Sequence, residues 1–267
     1  MGRLEGKTAI VVGAGQTPGE TIGNGRATAL RFAQEGARVL LVDRDGESAR
    51  ETQRLVEERA PGMATVLVAD IVAEDACVEI ARHGLAVLGG RIDVLHNNVG
   101  IGAGDGGPTS LTVDAWDRIL DTNLKAMWLT CKHVVPVMRE QGAGAIVNIS
   151  SVAAIAGVGN LTAYKISKAG VNALTQSLAV TNARFGIRVN GIMPGLIDTP
   201  MAVDASARAR GVAREVVADA RARTVPLGHQ GTAWDIANAA LYLASDEAAF
   251  VTGVVLPVDG GQSASVG

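Results

Sequence analysis

Thr8-Ala9-Ile10-Val11-Val12, followed at once by Gly13-Ala14-Gly15, is a short β-branched apolar run that breaks off at two glycines. A helical pattern with Ala27, Leu30, Phe32 and Ala33 on one side begins near Gly25 and stops at Gly36. Val39-Leu40-Leu41-Val42 is then a continuous apolar strand of the kind buried in parallel sheets, and it ends at Asp43. Strand, glycine loop, helix and strand make one βαβ unit, which fixes the class as α/β.

The glycine loop departs from a plain dinucleotide fingerprint, because Gly13-x-Gly15 runs on to Pro18 where a third glycine is expected. Gly23-Asn24-Gly25 supplies that glycine later, directly before the helix, so Gln16 to Ile22 read as an insertion. Asp43 follows Gly25 at close to the ~20-residue spacing of a carboxylate that bonds the adenosine ribose. Its charge repels a 2′-phosphate, so NAD is expected over NADP, with neighbouring Arg44 stacked on adenine or facing solvent. Pro18-Gly19 makes a turn, and Gln16, Thr17 and Thr21 offer short polar groups. The insertion is expected to fold over the cofactor and touch its diphosphate or nicotinamide ribose, with Glu20 pointing away.

Outward from this unit the pattern repeats. Strands are expected over Ala64–Ala69, ended by Asp70-Ile71, and over Ile92–His96, ended by Asn97-Asn98-Val99-Gly100. Further strands fall at Gly144–Ile149, Ile187–Met193 and Val254–Val258, with helices at about 47–60, 75–88, 113–122, 124–141, 161–185 and 234–244. The result is a Rossmann-like, doubly wound, seven-stranded parallel sheet with helices on both faces, a single domain over residues 1–267. Ligands of such sheets bind beyond the carboxyl ends of the strands, so those ends should line the adenine pocket. Residues 101–110 are glycine-rich and expected to be mobile. The Ala/Arg-rich stretch at about 200–229, which has little apolar stripe, is expected to be a substrate lid. His96 reads as a packed strand-end residue, and His229 as a surface or interface one.

Chemistry concentrates in Ser150 to Lys168. On a helix from Leu161 to about Phe185, Tyr164 and Lys168 share a face at i and i+4, and Ser151 precedes them where a strand ends. A phenol with a pKa near 10 is a poor proton shuttle at neutral pH, but a neighbouring ammonium favours phenolate. A serine hydroxyl nearby can hold a carbonyl or carbinol oxygen. Tyr-x3-Lys alone also occurs on exposed helices without function. Asn123, at a junction between two helices, is either a cap or a polar group that holds water or bends the helix beside the site.

Composition narrows the partners. The 267 residues are 48% hydrophobic but only 3% aromatic, which means an Ala/Val/Ile/Leu core. A formal charge of −3 and the absence of a Lys/Arg run leave no footprint for nucleic acid or an anionic membrane. Asn148, Ser150, Ser151 and Asn160 argue against a membrane span in the uncharged stretch 141–164. Cys77 and Cys131 lack metal-ligand spacing and read as free thiols of a reducing compartment, the cytoplasm. The start of the chain lacks the apolar region of a signal peptide. No metal is expected.

Taken together, these signals resemble the short-chain dehydrogenase/reductase family over almost the whole chain. The resemblance rests on the glycine loop, Asp43, Asp70, Asn97-Asn98-Val99-Gly100, Asn123, Ser151, Tyr164-x3-Lys168, Pro194-Gly195 and Asp259-Gly260-Gly261. It implies an NAD(H)-dependent enzyme that interconverts a small-molecule secondary alcohol and a ketone. Tyr164 would be the proton donor and acceptor, and Ser151 would orient the substrate oxygen. Lys168 would lower the tyrosine pKa and hold the nicotinamide ribose, while Asn123 anchors a relay water. Gly13, Gly15, Gly23 and Asn24 would face the diphosphate, Asp70, Ile71 and Asn97 the adenine, and Ile197 and Thr199 the carboxamide. Val99, Gly100, Pro194 and Gly195 complete the cofactor set. The family usually writes its loop T-G-x3-G-x-G, so Val12 and the insertion are departures. A homotetramer is implied, with a homodimer as the alternative, through the helices at 113–141 and 161–185 and a tail from Phe250 to Gly267. A non-catalytic NAD(H) sensor or scaffold on the same fold is the competing reading, but all four catalytic positions are kept.

Overall fold

Alternation of buried residues along β1 (Thr8–Val12) starts the sheet: Ala9 and Val11 pack to one side, Ile10 and Val12 to the other. This computed structural model describes residues 2–157 and 159–265; Met1, Val158, Val266 and Gly267, which belong to the expected domain and in part to the expected tail interface, lie outside the described residues. After β1 come α1 (Asn24–Gln34), β2 (Arg38–Asp43), α2 (Gly46–Glu57), β3 (Ala64–Val68), α3 (Glu74–Val87) and β4 (Val94–Asn97). The second half runs α4 (Val113–Leu120), α5 (Ala126–Gln141), β5 (Gly144–Ile149), α6 (Thr162–Asn182) and β6 (Ile187–Pro194). It ends with β7 (Ile197–Asp198), α7 (Ala205–Arg210), α8 (Arg214–Ala222), β8 (Gly231–Thr232), α9 (Ala233–Ala244) and β9 (Val255–Val258).

Seven strands form one parallel sheet in the order β3-β2-β1-β4-β5-β6-β9, as expected. Residues of α1, α2 and α9 cover one face, through Leu30, Phe32, Val56, Ile236 and Leu241. Residues of α3 and α5 cover the other, through Ile80, Leu129 and Val134, joined there by Ala179 of α6. Chain order reverses between β1 and β4, and the register sets Val12 beside both Val42 and Asn97. Gly13, Asp43 and Asn98 therefore leave the sheet side by side, at the switch point where open sheets bind ligands.

Two local expectations change. Asn123 does not separate two helices, because a π-turn over Asp121–Lys125 carries α4 into α5; such bulges commonly mark functional positions. Residues 101–110 are not a free loop, since their backbone is bonded to α4, to the π-turn and to Thr162 at the start of α6, and the Asp105 side chain bonds to α6 as well. The stretch expected to be a lid carries α7 and α8, and a separate two-stranded ladder, β7 with β8, joins its two flanks.

Candidate active site

β5 delivers Ser150 and Ser151 to the carboxyl edge of the sheet. Ser151 then starts a single 3-10 turn, Val152–Ala154, its Oγ accepting from Ala153 N at 3.2 Å. The Ser150 hydroxyl donates to Lys168 O at 3.1 Å, so strand end and α6 are joined under the site. Lys168 is buried, its Nζ donating to Ile149 O at 2.9 Å and lying 5.8 Å from the centre of the Tyr164 ring. Burial pushes its ammonium down to about 8.

The Tyr164 phenol sits beside the Ser151 hydroxyl. Burial holds it above its usual value, and the neighbouring Ser151 hydroxyl acts the other way. This corrects the expectation that Lys168 sets a lowered phenol pKa. The ammonium is itself desolvated and bonded to a carbonyl, so loss of solvent around the phenol is the larger effect.

Asn123 is fully buried in the π-turn. Its Oδ1 accepts from Ile101 N at 2.7 Å, and its Nδ2 donates to Ile101 O at 2.9 Å and Ser167 Oγ at 3.1 Å. Ser167 donates in turn to Tyr164 O at 2.7 Å. Both amide hydrogens are thus spent on protein partners, which leaves a water anchor to the carbonyl groups of this residue.

Around the glycine loop the residues fit a dinucleotide. Gly13 has φ +80°, open to glycine without strain, and its N–H and that of Ala14 bond to Val42 O. A Cβ on Gly25 would lie 1.9 Å from Gly13 O, so only glycine lets α1 begin this close to the strand. Asn98 Nδ2 donates to the same carbonyl at 3.1 Å, and Val99 packs against Gly13. Asp43 turns toward this loop, its Oδ2 accepting from Gly15 N at 2.8 Å and its Oδ1 from Asp45 N at 3.0 Å. Gly23 N donates to Gln16 Oε1, and Asn24 at the head of α1 holds a buried Oδ1 without a partner among the described residues. The N–H groups of a helix start suit a diphosphate, and the unpartnered amide oxygen and the carboxylate beside it suit the hydroxyl donors of a ribose.

The remaining expected cofactor residues divide. Ile71 and Val99 line a small apolar void with Val12, Asn97, Thr122 and Met127, while Asp70 and Arg44 are exposed. Gly100 lies against Lys168 Nζ. Pro194 ends β6, Gly195 N bonds to Val258 O, and Ile197 and Thr199 are buried at the root of the lid. Asn97 is the exception. Its side chain points away from the cleft, Nδ2 donating to Asn148 Oδ1 at 2.9 Å and Oδ1 accepting from Thr130 Oγ1 at 2.8 Å. Only its backbone is left to meet adenine.

A family model described as enoyl-(acyl carrier protein) reductase matches residues 20–263. Levodione reductase from Leifsonia aquatica is 36% identical over 263 residues, 98% of this chain and 96% of that protein. The crystal structure of a short-chain dehydrogenase/reductase from Burkholderia xenovorans aligns at a TM-score of 0.93 and 42% identity, with both chains covered in full. The chain belongs to the short-chain dehydrogenase/reductase family. Carveol dehydrogenase from Mycobacterium avium, solved in complex with NAD, aligns at a TM-score of 0.90 and 31% identity over 99% of this chain and 100% of that one. Like these dehydrogenases and reductases, the protein is an oxidoreductase.

Against the family's usual loop, the insertion takes an unforeseen course. Gln16 N donates to Ser48 Oγ, but beyond it the bonds run to the lid. Glu20 N donates to Asp204 Oδ1 at 3.0 Å, Thr21 Oγ1 to Asp198 Oδ1 at 3.5 Å, and Arg208 Nη2 to Pro18 O at 3.2 Å. Arg214 pairs with both Asp198 and Asp204. Glu20 itself is exposed, its carboxylate 3.9 Å from Arg214 Nε. Sequence reading missed Asp105, Asp198, Asp204 and Arg214. Asp105 did leave a trace, as the single charged residue between Ile101 and Ser110, but its partners lie 58 and 59 residues away, where no local pattern reaches.

Proposed function

We propose that this oxidoreductase is NAD(H)-dependent and interconverts a secondary alcohol and a ketone, with Tyr164 as the acid/base. The observation that carries the reading is the convergence of the Ser151 hydroxyl, the Tyr164 phenol and the Lys168 ammonium at the end of β5. The chain's glycine loop and Asp43 stand at the neighbouring strand ends. NAD in the carveol dehydrogenase structure and a carboxylate at Asp43, hostile to a 2′-phosphate, support NAD over NADP.

A bound nicotinamide dinucleotide supplies the hydride donor and acceptor. The head of α1 at Asn24 would face its diphosphate, with Gly13, Gly15 and Gly23 shaping the loop through backbone bonds to the protein; Asp43 would meet its adenosine ribose, Ile71 and Val99 its adenine, and Ile197 and Thr199 its carboxamide. Ser151 fixes the substrate oxygen by a hydrogen bond, and Tyr164 Oη takes the carbinol proton in oxidation or returns it in reduction. Lys168, charged below pH about 8, favours the phenolate and lies within the same cleft to meet the nicotinamide ribose. Asn123 keeps the Ile101 turn and α6 in register beside these groups.

Assembly as a homotetramer in the cytoplasm completes the proposal. Trp128 of α5 and Val180 of α6 are exposed on the helices expected to pair, and Phe250 stands fully exposed before the C-terminal tail. No helix among the described residues is long and apolar enough to cross a membrane.

A panel of secondary alcohols and ketones with NAD(H) and NADP(H), read by nicotinamide absorbance, tests the reading together with Tyr164→Phe. That variant should lose about 10³-fold or more in kcat while binding NADH normally; a rate above about a tenth of wild type overturns the assignment. Because burial raises the phenol pKa, the phenolate fraction is still climbing at pH 9. Oxidation should therefore rise from pH 7 to 9, and Lys168→Met should slow the part of that rise below pH about 8, where the ammonium it removes is charged.

A further inference from the structure

The catalytic helix has an incomplete start of its own. An α-helix leaves its first N–H groups without internal partners, and an Asp, Ser, Thr or Asn at the N-cap normally meets one of them. α6 has Leu161 there, which offers no side-chain oxygen. Its N–H groups are met from another part of the chain. Thr162 N donates to Gly106 O at 3.2 Å, Ala163 N to Asp105 Oδ1 at 3.1 Å, and Tyr164 N to Asp105 Oδ2 at 2.7 Å. The same Oδ1 accepts from Gly106 N at 2.8 Å and so shapes its own turn.

Asp105 thus grips the backbone of the residue whose phenol does the chemistry. The segment it belongs to is fastened upstream as well, Ile101 to Asn123 by two bonds and Ala103 O to Arg118 Nη2 at 2.7 Å. In between, Gly102 faces the Tyr164 ring, where an added Cβ would come into contact with Cδ2 at 3.5 Å. A carboxylate at a helix N-terminus is favoured by the macrodipole, and two charge-assisted bonds hold it more firmly than a neutral cap.

We propose that Asp105 is a positioning residue for the reaction: a cap supplied from the 101–107 segment that fixes Tyr164 and makes that segment and the head of the catalytic helix move as one piece. The inference rests on the assignment of Tyr164 as the acid/base. Misplacement of a catalytic group by about 1 Å can cost on the order of 10²-fold in rate. Asp105 lies apart from Gly15 and Asp43, so cofactor binding should not follow.

The test compares Asp105→Ala, Asp105→Asn and Tyr164→Phe in the full-length protein. Asp105→Ala should lower kcat about 10- to 100-fold, with the NADH dissociation constant unchanged and faster amide exchange in the peptide that holds Ala163 and Tyr164. Asp105→Asn keeps one acceptor oxygen in the same shape and should recover part of kcat, which a merely structural loss would not show. Should the alanine variant not fold, the asparagine variant carries the test through its own intermediate kcat and normal NADH binding. Wild-type kcat in either foldable variant, or equal losses of kcat, NADH affinity and thermal stability in both, overturns the proposal. Tyr164→Phe separates the two readings. If it stays active, the acid/base assignment fails; if it is dead while Asp105→Ala is normal, only the cap fails.

Discussion

Residues 16–22 and 101–107 leave neighbouring strands of the sheet, β1 and β4, and neither forms a helix or strand, yet they are held by opposite means. The segment after β4 contributes the carboxylate, Asp105, and receives backbone N–H groups from α6. The insertion after β1 contributes a backbone N–H, at Glu20, and a carbonyl, at Pro18, and receives the carboxylate of Asp204 and the guanidinium of Arg208 from the lid. One segment is therefore part of the fixed frame, since α6 is anchored in the core. The other is only as ordered as the lid it is bonded to. Its two binding carboxylates, Asp198 and Asp204, both pair with Arg214, whose side chain is 16% exposed.

The largest effect expected from this comparison belongs to Asp204→Ala. Asp204 is 6% exposed and serves Glu20 N and Arg214 at once, so its loss leaves the Glu20 N–H without its acceptor and Arg214 with Asp198 as its remaining close partner. Such removals cost on the order of 1–3 kcal/mol. Limited proteolysis should then cut within 16–22 and 200–222 together, while residues 101–107 stay protected. Cleavage in the lid alone would show that the insertion is held by something else.

Why some of this was legible and some not follows from distance along the chain. Seven strands, the glycine loop and Tyr164-x3-Lys168 are written in periods of two, in 3.6 or in adjacent residues, and each stands where it was read. The caps and clasps are not, because Asp105 finds its helix 58 residues on and Asp204 its loop 184 residues back. The side-chain direction of Asn97 went unread although strand alternation held the answer. His96 packs edge-on to Phe32 on the α1 face, with both ring nitrogens unpartnered among the described residues and burial pushing the imidazole down to about 3. The next residue must face α5, where Thr130 and Cys131 receive it. The direction of the Tyr164 shift was beyond reach for a different reason, since burial is a property of the packed cleft and not of the i, i+4 pair.

A smaller effect should follow from replacing residues 16–22 with a single serine, which restores the family's usual spacing. Gln16 Oε1 no longer meets Gly23 N, so the start of α1 beside the diphosphate site loses one support. NADH should bind about 3- to 10-fold more weakly, a change on the order of 1 kcal/mol, and the lid should become sensitive to protease as it does in Asp204→Ala. Unchanged NADH affinity with a released lid would mean that the insertion serves the lid alone.

The smallest effect sharpens the comparison most, because it separates the backbone of the insertion from its charge. Glu20 offers Arg214 a carboxylate at 3.9 Å, but its side chain is 72% exposed, and water and salt screen such a contact. Arg214 already holds Asp198 and Asp204, both far less exposed, so it gains little from a third partner. The N–H of the same residue is bonded to Asp204 whatever side chain it carries. Glu20→Gln should therefore change stability by less than about 0.5 kcal/mol and leave both NADH binding and lid protection as they are. Glu20→Pro should behave like Asp204→Ala, since proline removes the N–H and keeps no donor for the carboxylate. If the glutamine variant releases the lid and the proline variant does not, the insertion is held by charge instead of by its backbone, and the contrast with the Asp105 segment is lost.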